Sequence, residues 1–289
     1  MSVFSSSVPS TASTSAIVAR LRAAGCVFAE DEVELLVSTA RTPAELAAMV
    51  ERRVLGEPLQ HVLGWAEFCG LRVVVEPGVF VPRPRTEFLI GQAAALARRL
   101  PGPPVILDLC CGSGAAGAAL AAALSTGLAT GLATGLEGAE LHAVDLDPAA
   151  VRCARRNLAA APLRPGGTLR SRVYQGDLYD PLPASLLGRV DIVIASPPYV
   201  PSGSIVLLPP EARLHEPLMA LDGGGDGLDV VRRVIAGAPR WLAPGGHLLV
   251  ETSERQAGAT AEAVARAGLA ARVASSDELD ATAVIGTRP

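Results

Sequence analysis

The sequence predicts an α/β fold in which a small helical front domain and a β-hairpin precede a doubly wound parallel sheet. From residue 104 onward, short apolar runs alternate with helix-like segments and Gly-rich turns, a pattern typical of buried parallel strands joined by helices. Residues 16–64 have helical periodicity instead, and residues 65–84 alternate like a hairpin. We therefore expect a disordered Ser- and Thr-rich tail over residues 1–15, the front domain and hairpin over those two segments, and the sheet domain over residues 85–289.

The front domain is expected to contain three short amphipathic helices between residues 16 and 56, forming a lid or a recognition domain. Ile17 and Leu21 begin the apolar stripe of the first helix, and Val33 begins that of the second. Thr42-Pro43 supplies the cap and the first residue of the third. Paired arginines on these helices, such as Arg52-Arg53, are expected to face solvent.

The hairpin is predicted from alternating apolar residues on both sides of a turn. Leu71, Val73 and Val75 alternate before Glu76-Pro77-Gly78, which predicts the turn, and Val79 and Val81 alternate after it. A helix over residues 86–100 then leads into the sheet domain. There, strands are predicted at residues 105–109, 141–144, around 173, 190–195 and 247–251, with helices over 113–124, 148–159, 226–241 and 254–267 and two further strands in the last residues. The repetitive segment 126–138 is predicted to be a surface loop.

Composition excludes several classes of function. All 25 basic residues are arginine, which rules out a Schiff-base lysine and the lysine of a phosphate-binding P-loop. The net charge of −4 argues against a chain that binds nucleic acid by bulk electrostatics. No apolar run reaches the roughly 18 residues that span a membrane. Five cysteines without a CxxC spacing and four scattered histidines predict reduced thiols, a cytoplasmic protein and no metal site.

A Gly-rich turn after the first strand of the sheet domain predicts a ligand site. Gly112, Gly114 and Gly117 match the GxGxxG pattern, which places a ligand at a helix N-terminus. The acidic side chains Asp108, Asp145 and Asp177 are predicted near the carboxyl ends of three strands, where they do not favour an anionic pyrophosphate. They suit the ammonium, sulfonium and ribose hydroxyls of S-adenosyl-L-methionine, although each aspartate taken alone could also cap a helix or turn.

A second motif, Ser196-Pro197-Pro198-Tyr199, ends the fourth strand of the sheet domain. Its prolines stop the strand and hold backbone carbonyls rigidly. A carbonyl and the side chain of residue 196 can accept hydrogen bonds from a planar NH2 group, and the aromatic ring can pack beside that group. These four residues are therefore the predicted catalytic residues, with a purely structural turn as the alternative.

The chain resembles the HemK/PrmC family of class I methyltransferases, which have a Rossmann-like fold and methylate the glutamine side-chain amide of class-1 peptide release factors. The segments that carry the resemblance are VPRPRTE, DLCCGSG, SPPY, HEPLMALDGGGDGLD and LAPGGHLLVE. It implies that Phe80 touches the target amide, and that the substrate pocket is walled by Pro82, Arg83, Thr86 and Glu87. It also implies cofactor contacts from Cys110, Cys111, Gly112, Ser113, Gly114, Asp145, Asp177, Leu178 and Ser196.

Three residues depart from the family pattern. Ser196 stands where the family has Asn, Arg85 where it usually has Glu, and Cys110 where it usually has Gly. The serine replaces a fixed carbonyl by a shorter, rotatable hydroxyl, and it resembles the motif of methyltransferases that act on an exocyclic amine of a nucleobase. Two alternatives to a release-factor enzyme therefore stay open: a nucleobase amine methyltransferase, and a catalytically weak paralogue that binds S-adenosyl-L-methionine.

Overall fold

The front domain consists of four helices in a computed structural model that describes residues 11–126, 138–162 and 169–289. They are α1 (Thr11–Ala23), α2 (Ala29–Thr39), α3 (Pro43–Val54) and the short α4 (Leu59–Leu63). Leu21, Val33 and Leu36 are fully buried between them. The hydroxyl of Thr42 accepts a hydrogen bond from the Glu45 amide at 3.1 Å, as the predicted cap requires. The helix α4 was not predicted, because five residues are too few to show periodicity.

Two expectations for the front domain are wrong. Helix α1 begins at Thr11, so residues 11–15 are not part of a tail; residues 1–10 lie outside the described part of the chain. A Ser- and Thr-rich composition is typical of a tail, but both residues are also suited to the start of a helix. Arg53 does not face solvent but is 7% exposed, because its guanidinium bridges Glu32 and Glu211.

The hairpin lies earlier in the chain than predicted, because its turn is not at Glu76-Pro77-Gly78. It pairs β1 (Trp65–Phe68) with β2 (Leu71–Val74), and its turn lies at Cys69-Gly70, where both residues have positive φ. Glu76 does begin a turn, since its carbonyl accepts from the Val79 amide, but residues 79–84 do not return as a strand. Val79 and Val81 alternate because both are buried, with the carbonyl of Val79 bonded to His61 and the amide of Val81 to Glu216.

In the described part of the sheet domain, seven strands form one sheet in the order β5-β4-β3-β6-β7-β9-β8. The strands are β3 (Val105–Leu109), β4 (Ala139–Asp145), β5 (Leu169–Gln175), β6 (Val190–Ala195), β7 (Leu242–Thr252), β8 (Ala270–Ser276) and β9 (Ala281–Thr287). The helices are α5 (Thr86–Ala97), α6 (Ala115–Thr126), α7 (Pro148–Ala159), α8 (Pro210–His215), α9 (Asp229–Trp241) and α10 (Glu254–Arg266). Two apolar clusters cover the two faces of the sheet, so the predicted α/β fold class is confirmed.

One strand departs from the predicted parallel arrangement. β9 runs antiparallel to both neighbours, β7 and β8. Only residues 277–280 separate β8 from β9, and a connection that short cannot make the crossover that a parallel pair requires. The predicted surface loop at residues 126–138 falls almost entirely on residues 127–137, which lie outside the described part of the chain. No helix among the described residues is long and apolar enough to cross a membrane.

The chain order creates a cleft at the carboxyl ends of the strands. From β3 the chain proceeds outward to β4 and β5, and then returns to the other side of β3 as β6. The loops that follow β3 and β6 therefore leave the sheet in opposite directions and open a crevice between them, which is where open α/β sheets bind ligands.

Candidate active site

A cavity of about 590 Å³ opens at this crevice. Its walls come from the loops after β3, β4, β5 and β6, from the end of β7, and from the segment between the hairpin and α5. The predicted residues that line it are Phe80, Arg83, Cys110, Gly112, Asp145, Asp177, Leu178, Ser196, Pro197, Pro198 and Tyr199. Both predicted motifs thus face one space.

The loop after β3 has a tightly constrained backbone. Cys110, Gly112 and Gly114 all have positive φ, at 54°, 54° and 75°. A Cβ on Gly114 would come within 2.8 Å of the Ala154 Cα, so only glycine lets α7 approach this loop. Gly114 therefore shapes the loop without lining the cavity, and the same is true of the buried Cys111 and Ser113.

Asp108 lies beneath the loop rather than in the cavity. Its carboxylate accepts a hydrogen bond from the Gly117 amide at 3.0 Å, in the first turn of α6. The side chain is almost fully buried, and this burial raises the pKa of the carboxyl to about 7. Asp108 thus acts as a helix cap, the alternative that the sequence had left open for it.

Asp145 faces the cavity at the end of β4. Its two oxygens accept hydrogen bonds from the amides of Gly112 at 2.8 Å and Asp147 at 2.9 Å. Burial raises the pKa of its carboxyl above the ordinary value. Each carboxylate oxygen can accept a second hydrogen bond, so Asp145 fixes the loop and can still bind a ligand hydroxyl. The cap of α7 is the neighbouring Asp147, which accepts from the Ala149 amide.

Asp177 and Leu178 line the cavity after β5, together with Arg233 of α9. The Arg233 guanidinium donates to the Asp177 carboxylate at 2.7 Å. Leu178 is held with positive φ and is 8% exposed. Sequence reasoning missed Arg233, because nothing in its own helix indicates that it reaches a strand end 56 residues earlier.

Ser196 and Tyr199 converge on Glu251, which sequence reasoning also missed as a site residue. The Ser196 hydroxyl donates to Oε2 of Glu251 at 3.1 Å, and the Tyr199 phenol donates to Oε1 at 3.1 Å. Burial raises the pKa of the Tyr199 phenol, so the phenol stays protonated at neutral pH. The signal for Glu251 was its position as a charged residue directly after the apolar run of a predicted strand, LLVE.

The segment before α5 divides into residues that line the cavity and residues that support it. Phe80, Arg83 and Arg85 line it, and the Arg83 guanidinium lies 4.7 Å from the centre of the Phe80 ring. Arg83 also pairs with the buried Glu216. The other three predicted substrate residues, Pro82, Thr86 and Glu87, do not line the cavity. Thr86 donates to Glu251 at 2.6 Å, and Glu87 accepts from the Cys69 amide at 2.9 Å.

The histidines and cysteines do not form a metal centre in the described residues, where no group of three metal-binding side chains is placed to hold an ion. Burial raises the pKa of both Cys110 and Cys111, which keeps these thiols protonated and poorly nucleophilic.

Comparisons with known proteins agree with this architecture. The Methyltransferase small domain family matches residues 70–207. A release factor glutamine methyltransferase of Geobacter sulfurreducens is 37% identical over 249 residues, covering 85% of this chain and 79% of the relative. A 4-amino-L-phenylalanine/4-methylamino-L-phenylalanine methyltransferase of Streptomyces pristinaespiralis is 35% identical, covering 82% and 74%.

Among solved structures, a methyltransferase from Pyrococcus furiosus has a similar fold, with a TM-score of 0.51 at 16% identity over 76% of this chain and 89% of that one. The similarity to the Geobacter relative extends over most of both chains. The chain therefore belongs to the release factor glutamine methyltransferase family.

Proposed function

We propose that this protein transfers a methyl group from S-adenosyl-L-methionine to the side-chain amide nitrogen of a glutamine in a class-1 release factor. The observation that carries the proposal is that the Gly-rich loop and Ser196-Pro197-Pro198-Tyr199 line one cavity, so that a methyl donor and an NH2 group can meet there. The names of the relatives support the choice of substrate.

The donor side of the cavity fits this cofactor. Asp145 and Asp177 offer carboxylates at two neighbouring strand ends, and a Cβ on Gly112 would meet no atom within 4 Å, so the loop leaves open space there. Asp145 would accept from the ribose hydroxyls, and Asp177-Leu178 would lie near the adenine. When bound, S-adenosyl-L-methionine supplies an electrophilic methyl carbon.

The acceptor side would orient a planar amide. The NH2 group carries two hydrogens, and the Ser196 hydroxyl oxygen and the Pro197 carbonyl are two acceptors for them. Phe80 and Tyr199 would form apolar walls that exclude water from the slot. An amide nitrogen is a poor nucleophile, so orientation is the main contribution of the chain, and such positioning supplies roughly 7–11 kcal/mol of a barrier. The methylated nitrogen is acidic enough to lose its proton to water without a protein base.

The test is to incubate the protein with S-adenosyl-L-methionine and a class-1 release factor, and to examine the tryptic peptide with the conserved glutamine by mass spectrometry. We expect one added methyl group, located on that glutamine by fragmentation. Ser196→Ala is the matched variant. It should slow methylation of the release factor without changing the affinity for S-adenosyl-L-methionine. Cofactor binding without methylation of the release factor contradicts the proposal.

An amino acid that carries an aromatic amine is the second candidate acceptor. Arg85 lines the acceptor side and makes no ion pair within the described residues, so its guanidinium can bind a substrate carboxylate. The Streptomyces pristinaespiralis relative is named for such an acceptor. The assay therefore includes 4-amino-L-phenylalanine, and methylation of it alone, abolished by Arg85→Glu, would favour this candidate. The assay also tests nucleic acid as a third methyl acceptor, which the net charge of −4 disfavours.

A further inference from the structure

Glu251 lies at the cavity floor and has no role in the function proposed so far. It is 3% exposed and lines the cavity. Its Oε2 accepts from the hydroxyls of Thr86 at 2.6 Å and Ser196 at 3.1 Å, and its Oε1 accepts from the Tyr199 phenol at 3.1 Å. Three hydroxyl hydrogens thus converge on two oxygens, which is the arrangement that an ionised carboxylate can satisfy because it only accepts.

This contact sets the direction in which Ser196 can act. A hydroxyl has one hydrogen and two lone pairs. Because the Ser196 hydrogen points to Glu251, the lone pairs of its oxygen remain available to the cavity. We propose that Glu251 is a positioning residue that fixes Ser196 as a hydrogen-bond acceptor for the NH2 group of the methyl acceptor. This inference rests on the proposed function.

The requirement follows from the residue at position 196. An NH2 group presents hydrogens to its partner. A serine whose hydroxyl hydrogen pointed into the cavity would therefore repel the NH2 group of the methyl acceptor instead of binding it. An asparagine carbonyl has no hydrogen to misplace. A serine at this position therefore depends on a partner that takes its hydrogen, whereas an asparagine does not.

The test compares kcat for Glu251→Gln in three backgrounds: Ser196, Ser196→Ala and Ser196→Asn. A hydrogen bond to a charged group corresponds to a rate factor of roughly 10 to 100, so we expect Glu251→Gln to lower kcat by about that factor in the first background. In the other two we expect less than about a threefold further change, because the hydroxyl that Glu251 positions is absent. The Kd for S-adenosyl-L-methionine should stay within about twofold.

Two further variants test whether the loss comes from the Glu251–Ser196 contact. One keeps the negative charge at residue 251, and the other removes a carboxylate elsewhere. Glu251→Asp keeps the carboxylate but withdraws it from the hydroxyl, and we expect the same loss as for glutamine. Glu254→Gln, on the exposed start of α10, is the matched control and should leave kcat unchanged. A raised cofactor Kd in Glu251→Gln, or an equal loss of kcat in all three backgrounds, would overturn the inference, because Glu251 would then act on the cofactor or on the core.

Failure of the proposed function gives a different result. If the parent protein binds the cofactor but leaves the release factor unmethylated, the substrate assignment fails, and the Ser196–Glu251 contact is examined by urea unfolding of the two single variants and the double variant. Destabilisation by Ser196→Ala and Glu251→Gln that is less than additive supports the contact without any acceptor. Strictly additive destabilisation overturns it.

Discussion

Asp108 shows how burial changes one ionisable residue beneath the site. Its pKa of about 7 means that the folded chain binds this proton more tightly than the unfolded chain, in which an aspartate titrates near 4. The stability gained from the proton is complete below about pH 4 and is lost as the pH rises through about 7. At neutral pH the carboxyl is therefore partly ionised, and this buried charge accepts a hydrogen bond from the Gly117 amide.

We predict that Asp108→Asn removes this dependence. The amide oxygen can still accept from Gly117, but the side chain no longer titrates. Between pH 5 and 7 the unfolding free energy of the parent should fall relative to the variant, by at most about 1.4 kcal/mol per pH unit. Urea unfolding at a series of pH values measures the difference. Asp31→Asn, on the exposed face of α2, is the control, and parallel profiles for Asp108→Asn and the parent would contradict the prediction.

At the same scale, the sequence indicates site residues that lie in a turn directly after a strand. It does not indicate residues whose partners are distant in the chain. The motif residues Gly112, Asp145 and Ser196 line the cavity because short turns follow their strands directly. Glu251, Arg233 and Arg53 belong to no such turn. Their partners are 55, 56 and 21 residues away in the chain, for Ser196, Asp177 and Glu32 respectively, and no local pattern encodes a contact of that separation.

At the scale of elements, the Gly-rich loop depends on its contact with α7. We predict that Gly114→Ala lowers the unfolding free energy by roughly 2–4 kcal/mol, because it adds a clash with Ala154 to the cost of a positive φ. The Kd for S-adenosyl-L-methionine, measured by calorimetry, should rise at least about tenfold, since the loop must move away from Asp145.

The matched control is Gly91→Ala in α5. Its φ is ordinary and an added Cβ meets no atom within 4 Å, so helix propensity should stabilise the variant by about 0.5–1 kcal/mol without a change in Kd. Equal behaviour of the two glycine variants would show that backbone geometry at Gly114 is unimportant.

A second prediction for elements concerns Asn157, through which α7 holds the hairpin. Its side chain accepts from the Val74 amide and donates to the carbonyls of Val74 and Ser113, all within 2.9 Å. Asn157→Ala loses three hydrogen bonds and should destabilise the protein by roughly 2–4 kcal/mol. Hydrogen exchange should accelerate in residues 65–74. The control is Arg155→Ala, two residues earlier in α7 at an exposed position. It should change neither the stability nor the exchange rates appreciably.

Element boundaries follow from the sequence where periodicity and capping coincide. The predicted strand 105–109 and helix 148–159 have the observed limits, because a buried apolar run and an Asp-Pro start define them. The hairpin was misplaced because Val75, Val79 and Val81 alternate for burial rather than for strand pairing. The actual turn, Cys69-Gly70, contains a non-glycine residue with positive φ, which sequence propensity does not anticipate.

For the whole molecule, an ion cluster around the buried Arg53 joins the front domain to the mouth of the cavity. Arg53 of α3 donates to Glu32 of α2 at 2.7 Å and pairs with Glu211 of α8 at 2.6 Å, and Glu211 lines the cavity. The order of elements predicts two units in sequence, but it does not predict that the Arg53 guanidinium of the front domain reaches Glu211. Any change at Arg53 should therefore affect both stability and substrate entry.

We predict that Arg53→Met destabilises the protein by about 3–5 kcal/mol, because it leaves the buried Glu32 carboxylate without its partner. Adding Glu32→Leu removes that stranded charge, so the double variant should recover a large part of the loss in urea unfolding. Both variants release Glu211, so residues 208–217 should exchange hydrogen faster and kcat/KM for the protein substrate should fall while the cofactor Kd stays constant. Arg22→Met breaks the exposed pair with Glu30 and should cost less than about 1 kcal/mol. An Arg53→Met protein that is unstable yet keeps its parent exchange in residues 208–217 would mean that the cluster stabilises the front domain alone and does not order the mouth of the active site.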